Sequence, residues 1–124
     1  MDKISLSDGE WHLMNLLWDA NPRTIGEMVA ALKDTTGWTK ATVNIMLGRL
    51  AEKGAVRIDT TERAKRFYPF IGRDEAVIDE AKATLKKIKT GGIGLLVSTM
   101  AKESKLTDDD IEELYRILKE ASKQ

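Results

Sequence analysis

The feature that most constrains this chain is a change of period at Gly54. Before it, apolar residues recur at helical spacing behind three capping signals; after it, they read as strands. Ser7-Asp8-Gly9-Glu10 has the S-x-x-E form of a capping box, and Trp11, Met14, Leu17 and Trp18 follow it on a helix. Pro22 stops that helix by Ala20 or Asn21, because the residue before proline avoids the α region. Thr24-Ile25-Gly26-Glu27 repeats the box ahead of a stripe of Ile25, Met28, Val29 and Leu32, and Thr35-Thr36-Gly37 reads as a turn. Thr39 caps a third helix, and Gly54 stands where a left-handed residue ends it. Ala55, Val56 and Ile58 then predict one strand and Lys65 to Phe70 a second, joined by a polar turn over Asp59 to Arg63. Pro69 restricts the second strand to an edge at that point.

The third helix has two unlike faces. Val43, Met46, Leu47 and Leu50 fall within about 100° of one another and predict a core-facing stripe. The opposite face carries Ala41, Asn44, Ile45 and Gly48 between Lys40 and Arg49. It is slim, neutral or basic, unlike an ordinary solvated face rich in Glu and Lys.

After Gly72 the chain is helical again. From Arg73 to Lys89, Ile78, Ala81, Leu85 and Ile88 recur as an a/d seam, acidic at its start and basic at its end in the sense that suits the helix dipole. Gly91-Gly92 breaks this helix and reads as a hinge. A short apolar helix over Ile93 to Met100 brings Ile93, Leu96, Val97 and Met100. Thr107 caps a last helix whose stripe is Ile111, Leu114, Tyr115 and Leu118. The expected organisation is therefore a mainly α (α+β) chain of two parts. Residues 1–72 form three helices and a hairpin, and residues 73–124 a three-helix module. The second part is too small to bury these stripes alone, so they are expected to pack on a second copy.

Composition narrows the function classes. The chain has 124 residues, no Cys and a single His, His12. Thiol nucleophiles, disulfides, Cys-based zinc sites and His-pair metal motifs are excluded, and no catalytic set, metal or cofactor is expected. Asp108, Asp109, Asp110, Glu112 and Glu113 lack the glycine and spacing of a calcium loop and fit a helix N-terminus instead. No run approaches a membrane span, and Met1-Asp2-Lys3-Ile4-Ser5 lacks the order of a signal peptide, so no membrane insertion and a cytoplasmic location are expected. The zero net charge divides unevenly: −3 over residues 1–32, +5 over 33–73 and −2 over 74–124. A basic middle is the footprint of a polyanion partner.

Helix, helix, helix and a hairpin with basic residues near its tip is the order of a winged helix-turn-helix, whose third helix enters the major groove of double-stranded DNA. On that reading Asn44 pairs with adenine, Thr42 contacts either base type and Ile45 touches a thymine methyl, beside the small Ala41. Lys40, Arg49, Arg57, Arg63, Lys65 and Arg66 neutralise phosphates, and Thr39 opens the contacting helix. Trp11, Trp18 and Trp38 read as packing residues and His12 as a helix-surface residue.

In this order the residues resemble the BlaI/MecI/CopY family of bacterial penicillinase and methicillin-resistance repressors. The marks are Glu10-Trp11 with Met14 and Trp18; Trp38 with Thr42-Val43; Arg49-Leu50 with Lys53-Gly54; and Phe67-Tyr68-Pro69. Gly91-Gly92 with Leu95-Leu96-Val97, and Asp110 to Leu114, complete them. The resemblance implies a homodimeric transcriptional repressor that binds inverted-repeat operators, often with TACA and TGTA half-sites. It gives base contacts to Lys40, Ala41, Thr42, Asn44 and Ile45. Lys40 stands where close relatives have Pro, Ala41 where they have Lys and Asn44 where they have Arg, which leaves the operator sequence open. The copper-responsive branch uses a C-terminal Cys-x-Cys pair that this chain lacks. The β-lactam branch is released by sensor-dependent proteolysis at a bond that corresponds here to Thr99-Met100. The competing expectation is a winged-helix protein–protein adaptor that uses the same scaffold without DNA; the salt dependence of duplex binding separates the two.

Overall fold

A computed structural model describes residues 4–88 and 91–123; Lys89, the expected end of the fourth helix, lies outside the described residues. The elements run α1 (Asp8–Asp19), α2 (Ile25–Ala31), α3 (Lys40–Lys53), β1 (Val56–Asp59), β2 (Arg66–Pro69), α4 (Arg73–Ile88), α5 (Ile93–Glu103) and α6 (Asp108–Ala121). This is the mainly helical winged helix-turn-helix order that the period change at Gly54 predicts.

The helix starts are set locally. Ser7 accepts from the Glu10 amide at 3.2 Å while the Glu10 carboxylate accepts from the Ser7 amide at 2.8 Å. Thr24 and Glu27 close the same reciprocal pair, as do Thr107 and Asp110. Such caps satisfy amides that the first helical turn leaves without partners. Gly54 ends α3 at φ 82°, a left-handed conformation that a β-carbon disfavours.

Leu13, Met14 and Leu17 of α1 pack with Met28 of α2, with Val43, Leu47 and Leu50 of α3, and with Val56 and Phe67 of the hairpin. Met46 is only half-buried because it turns toward α1, where a β-carbon on Gly9 would come within 2.6 Å of its methyl carbon. Gly9 therefore permits the close approach of α1 to the side of α3.

β1 and β2 are antiparallel, with Val56 opposite Pro69 and Arg57 opposite Tyr68. Phe67 exchanges both backbone hydrogen bonds with Arg23, at 2.9 and 3.2 Å, on the outer side of β2. Pro69 has the same parity as Phe67, so its missing N–H also falls on the outer side and β1 loses no donor. The Arg23 bridge fastens the hairpin to the segment leading into α2. Ile58, opposite Phe67 on the same face of the hairpin, is 36% exposed toward the hairpin tip.

The chain divides into two compact units, Met1–Ala83 and Thr84–Gln124. The division falls inside α4, downstream of residue 72, because Ala76 is 4% exposed and joins the first unit's core. In the second unit α5 and α6 hold no buried residue. Ile93, Val97, Met100, Ile111, Leu114, Tyr115 and Leu118 are all exposed in the single chain. On α4, Ile78, Ala81 and Leu85 are exposed, and Ile88 is half-buried. Leu96 is half-buried as well.

Candidate nucleic-acid interface

The outer face of α3 is positioned by its inner one. Because Val43, Leu47 and Leu50 are anchored, Ala41, Asn44, Ile45, Gly48 and Arg49 are turned outward, and all are exposed. Ile45, an apolar side chain, is 57% exposed. A β-carbon on Gly48 would meet nothing within 4 Å, so packing within the chain does not require glycine there. What it provides is a narrow helix face.

Lys40, Ala41 and Asn44 of α3 line a cleft of about 690 Å³ together with Arg63, Ala64 and Lys65 of the hairpin turn and Thr24, Ile25 and Gly26 at the start of α2. Three cations thus line the same concavity as Asn44. Their charges repel one another, an arrangement that favours a polyanion as occupant. The lining by Thr24, Ile25 and Gly26 is not visible in the sequence pattern, where these residues read only as a helix start. The available signal is the capping box itself, which fixes where α2 begins.

The remaining expected residues are placed differently. Thr39 and Thr42 are joined to each other: the Thr39 hydroxyl donates to the Thr42 hydroxyl at 3.2 Å and accepts from the Thr42 amide. Arg49 is exposed farther along α3 and is not part of the cleft. The Arg57 guanidinium lies 5.0 Å from the centroid of the Tyr68 ring across the hairpin. Arg66 is held by Glu62 at 2.6 Å, and its Nε is buried without a hydrogen-bond partner. Arg66, expected from the sequence to meet phosphate, is thus paired with a carboxylate within the hairpin. Asp59 at the end of β1 accepts from the Thr61 amide and hydroxyl, which hold its carboxyl below the usual range and order the turn.

Among the described residues no group of His, Asp and Glu side chains is arranged to hold a metal ion, and no helix is long and apolar enough to cross a membrane.

Three helices, a two-stranded wing and an exposed third-helix face beside a basic cleft define a winged helix-turn-helix protein. The family model described as penicillinase repressor matches residues 6–120, and the chain belongs to that family, one of transcriptional repressors rather than enzymes. The chain is 28% identical to the penicillinase repressor of Bacillus licheniformis over 97% of its own length and 94% of that protein's. It is 27% identical to the penicillinase repressor of Staphylococcus aureus over 98% and 97%. The solution structure of monomeric Bacillus licheniformis BlaI in complex with the blaP half-operator superposes with a TM-score of 0.52 at 30% identity, over 60% of this chain and 93% of that one.

Proposed function

We propose that this chain is a DNA-binding repressor that occupies an inverted-repeat operator as a homodimer, in the cytoplasm of a bacterial cell. The observation that carries the reading is the cleft in which Asn44, Lys40, Arg63 and Lys65 converge beside the exposed face of α3. In it α3 lies in the major groove, with Asn44 reading a base edge and Ile45 and Ala41 making apolar contacts. Lys40, Arg63 and Lys65 meet phosphates, Arg49 and Arg57 extend that contact, and Thr39 and Thr42 stand at the helix start. The half-operator complex of the relative supports the same use of this unit.

Homodimerisation is supported by the second unit. α5 and α6 carry apolar stripes and no buried residue, which a chain of this size leaves exposed only where another surface covers them. The covering surface in this reading is the same stripes of a second copy: Ile78, Ala81, Leu85 and Ile88 of α4, Ile93, Leu96, Val97 and Met100 of α5, and Ile111, Leu114, Tyr115 and Leu118 of α6.

Release by a sensor-dependent protease at Thr99-Met100 completes the reading. The bond lies in α5; Thr99 is exposed and its hydroxyl donates to the Leu95 carbonyl at 2.7 Å, while Met100 belongs to the stripe proposed to pack on a second copy, so cleavage acts where that stripe is uncovered. A helix with no buried residue opens locally at little cost, which a protease requires. Sequencing fragments after incubation with extract of cells whose sensor pathway has been activated tests this: a new terminus at Met100 is expected, and an intact chain contradicts it.

Binding to duplex DNA as a function of salt tests the central reading. Two basic clefts predict a steep linear fall of log affinity with log salt concentration. A flat response, or no binding at low salt, returns the scaffold to a protein–protein adaptor.

A further inference from the structure

Arg23 stands in the connection between α1 and α2. Its Nε–H is shared between the Leu16 carbonyl at 3.0 Å and the Ala20 carbonyl at 2.9 Å. The last carbonyls of a helix lack partners within it, and a cation there also suits the helix dipole. Asn21 serves the same helix end, donating its side-chain amide to the Leu17 carbonyl at 2.9 Å. The Arg23 main chain meanwhile exchanges both of its hydrogen bonds with Phe67 of β2. One residue therefore grips α1 with its side chain and the wing with its backbone.

This bridge adjoins both stretches that line the cleft beside α3. Thr24, Ile25 and Gly26 follow Arg23 directly, and Arg63, Ala64 and Lys65 shortly precede Phe67. The base of the hairpin is held by other means. Val56 and Phe67 enter the core, the Ala55 amide donates to the Leu50 carbonyl at 2.9 Å, and the Phe70 amide donates to the Ala55 carbonyl at 2.8 Å. Ile71 packs on the core and accepts from the Trp18 indole at 2.9 Å. Beyond Phe67 toward the turn, the side-chain hydrogen bonds and ion pairs among the described residues stay within the hairpin, Asp59 with Thr61 and Arg66 with Glu62. Glu27 of α2 adds a non-directional attraction. Its carboxyl is held below the usual range first by its hydrogen bonds with Thr24, then by the charges of Arg23 and Arg66. An exposed carboxylate of that kind is screened by salt. The directional tie nearest the wing cations is the Arg23 bridge.

We infer that Arg23 is a positioning residue for the wing: by donating its Nε–H to α1 it holds the bridge to Phe67, and so keeps Arg63 and Lys65 in register with Lys40 and Asn44 of α3 on one duplex. This inference rests on the DNA-binding reading given above.

The test compares two substitutions in the full chain, on the duplex that it enriches from a random pool and on a scrambled duplex. In Arg23→Gln an N–H donor stands as many bonds from the backbone as the Arg Nε, without the charge; in Arg23→Met a methyl stands there. Arg23→Met is expected to bind both duplexes at least about tenfold more weakly, with the salt slope lowered by about one to two per DNA-binding unit. In that background Lys65→Ala is expected to change the slope little further. The ratio of affinities for the two duplexes is expected to stay within about twofold, because the core still anchors α3. Arg23→Gln is expected to keep the unsubstituted slope, with affinity within about threefold.

An unchanged slope in Arg23→Met, or a full Lys65→Ala effect in its background, overturns the inference. An equal loss in Arg23→Gln also overturns it, since Arg23 then acts through its charge on phosphate. A collapse of the affinity ratio overturns it too, since Arg23 then acts on α3. Hydrogen exchange in the unsubstituted protein gives a check that needs no variant to fold. The Arg23 and Phe67 amides are expected to exchange far more slowly than those of the turn over 60–65, and equally fast exchange overturns the inference. If the unsubstituted protein binds no duplex, the DNA-binding reading itself fails, and this inference with it.

Discussion

Glu10 and Lys53, 43 positions apart, meet in an ion pair at 2.5 Å that ties the start of α1 to the last turn of α3. Glu10 is 2% exposed, and the Lys53 ammonium also donates to the Ser5 carbonyl at 2.9 Å. One carboxylate thus closes the capping box of the first helix and anchors the end of the helix that faces the cleft.

Burial opposes the charge of Glu10, but the hydrogen bond from Lys53, the Ser7 amide and the Lys53 charge together outweigh it and hold the carboxyl below its usual range. A carboxyl lowered in the folded state stabilises the fold above its unfolded value, about 4.3 for Glu, and that stabilisation disappears as pH falls through the lower folded value. Urea unfolding is expected to show this loss below about pH 4.3. Glu10→Gln is expected to lose about 1–3 kcal/mol at pH 7, where the lysine is left without its charge partner, and to flatten the acid limb of the stability curve. A substituted protein with unchanged stability at pH 7 contradicts this role.

Asn44 and Lys65 line the same cleft and are predicted to differ in kind. Asn44→Ala is expected to cost about 1–3 kcal/mol on the selected operator and to relax preference at one base pair per half-site. Lys65→Ala is expected to weaken all duplexes alike and to lower the salt slope by about one per DNA-binding unit. Titrations against the operator and a scrambled duplex at several salt concentrations separate the two; equal behaviour contradicts the division into base and phosphate roles.

Arg66 is held by Glu62, so Arg66→Ala is expected to change the salt slope less than Lys65→Ala does. Glu62→Gln frees the guanidinium, and the prediction is tighter, more salt-dependent binding to every duplex. Thermal unfolding should shift little, because exposed ion pairs contribute about 0–1 kcal/mol. Weaker binding by Glu62→Gln would show that the ion pair orders the wing for DNA rather than masking a cation.

Leu85 is exposed on α4 within the expected seam. Leu85→Asp places a charge where a second copy's apolar stripe is proposed to pack, and sedimentation is expected to show a monomer whose DNA-binding unit keeps its cooperative unfolding. A variant that sediments as a dimer places the interface elsewhere.

What the sequence made legible is mostly local. The boxes at Ser7–Glu10 and Thr24–Glu27 and the glycine at 54 act within four residues, so helix starts and the end of α3 can be read directly. The stripe of Val43, Leu47 and Leu50 fixes the inner face of α3 and, by exclusion, the outer one. What escaped depends on partners far along the chain. The Arg23–Phe67 bridge has no signature at either end, and Gly9 reads only as an inner position of the capping box until Met46 is seen beside it. Ala76 falls outside the a/d seam of α4 because it serves a different surface, the core of the first unit. In the cleft, Lys40, Asn44, Arg63 and Lys65 were legible from charge and helix phase. The pairing of Arg66 with Glu62 was not, because like charges along a hairpin do not reveal which one is already neutralised.

The most direct measurement is selection of bound duplexes from a random pool by the full chain. The predicted outcome is an enriched inverted repeat whose half-sites lie on one face of the duplex, at a separation near a multiple of about 10–10.5 base pairs. Enrichment of a single unrepeated motif, or of no sequence at all, would contradict a homodimer that reads DNA through α3.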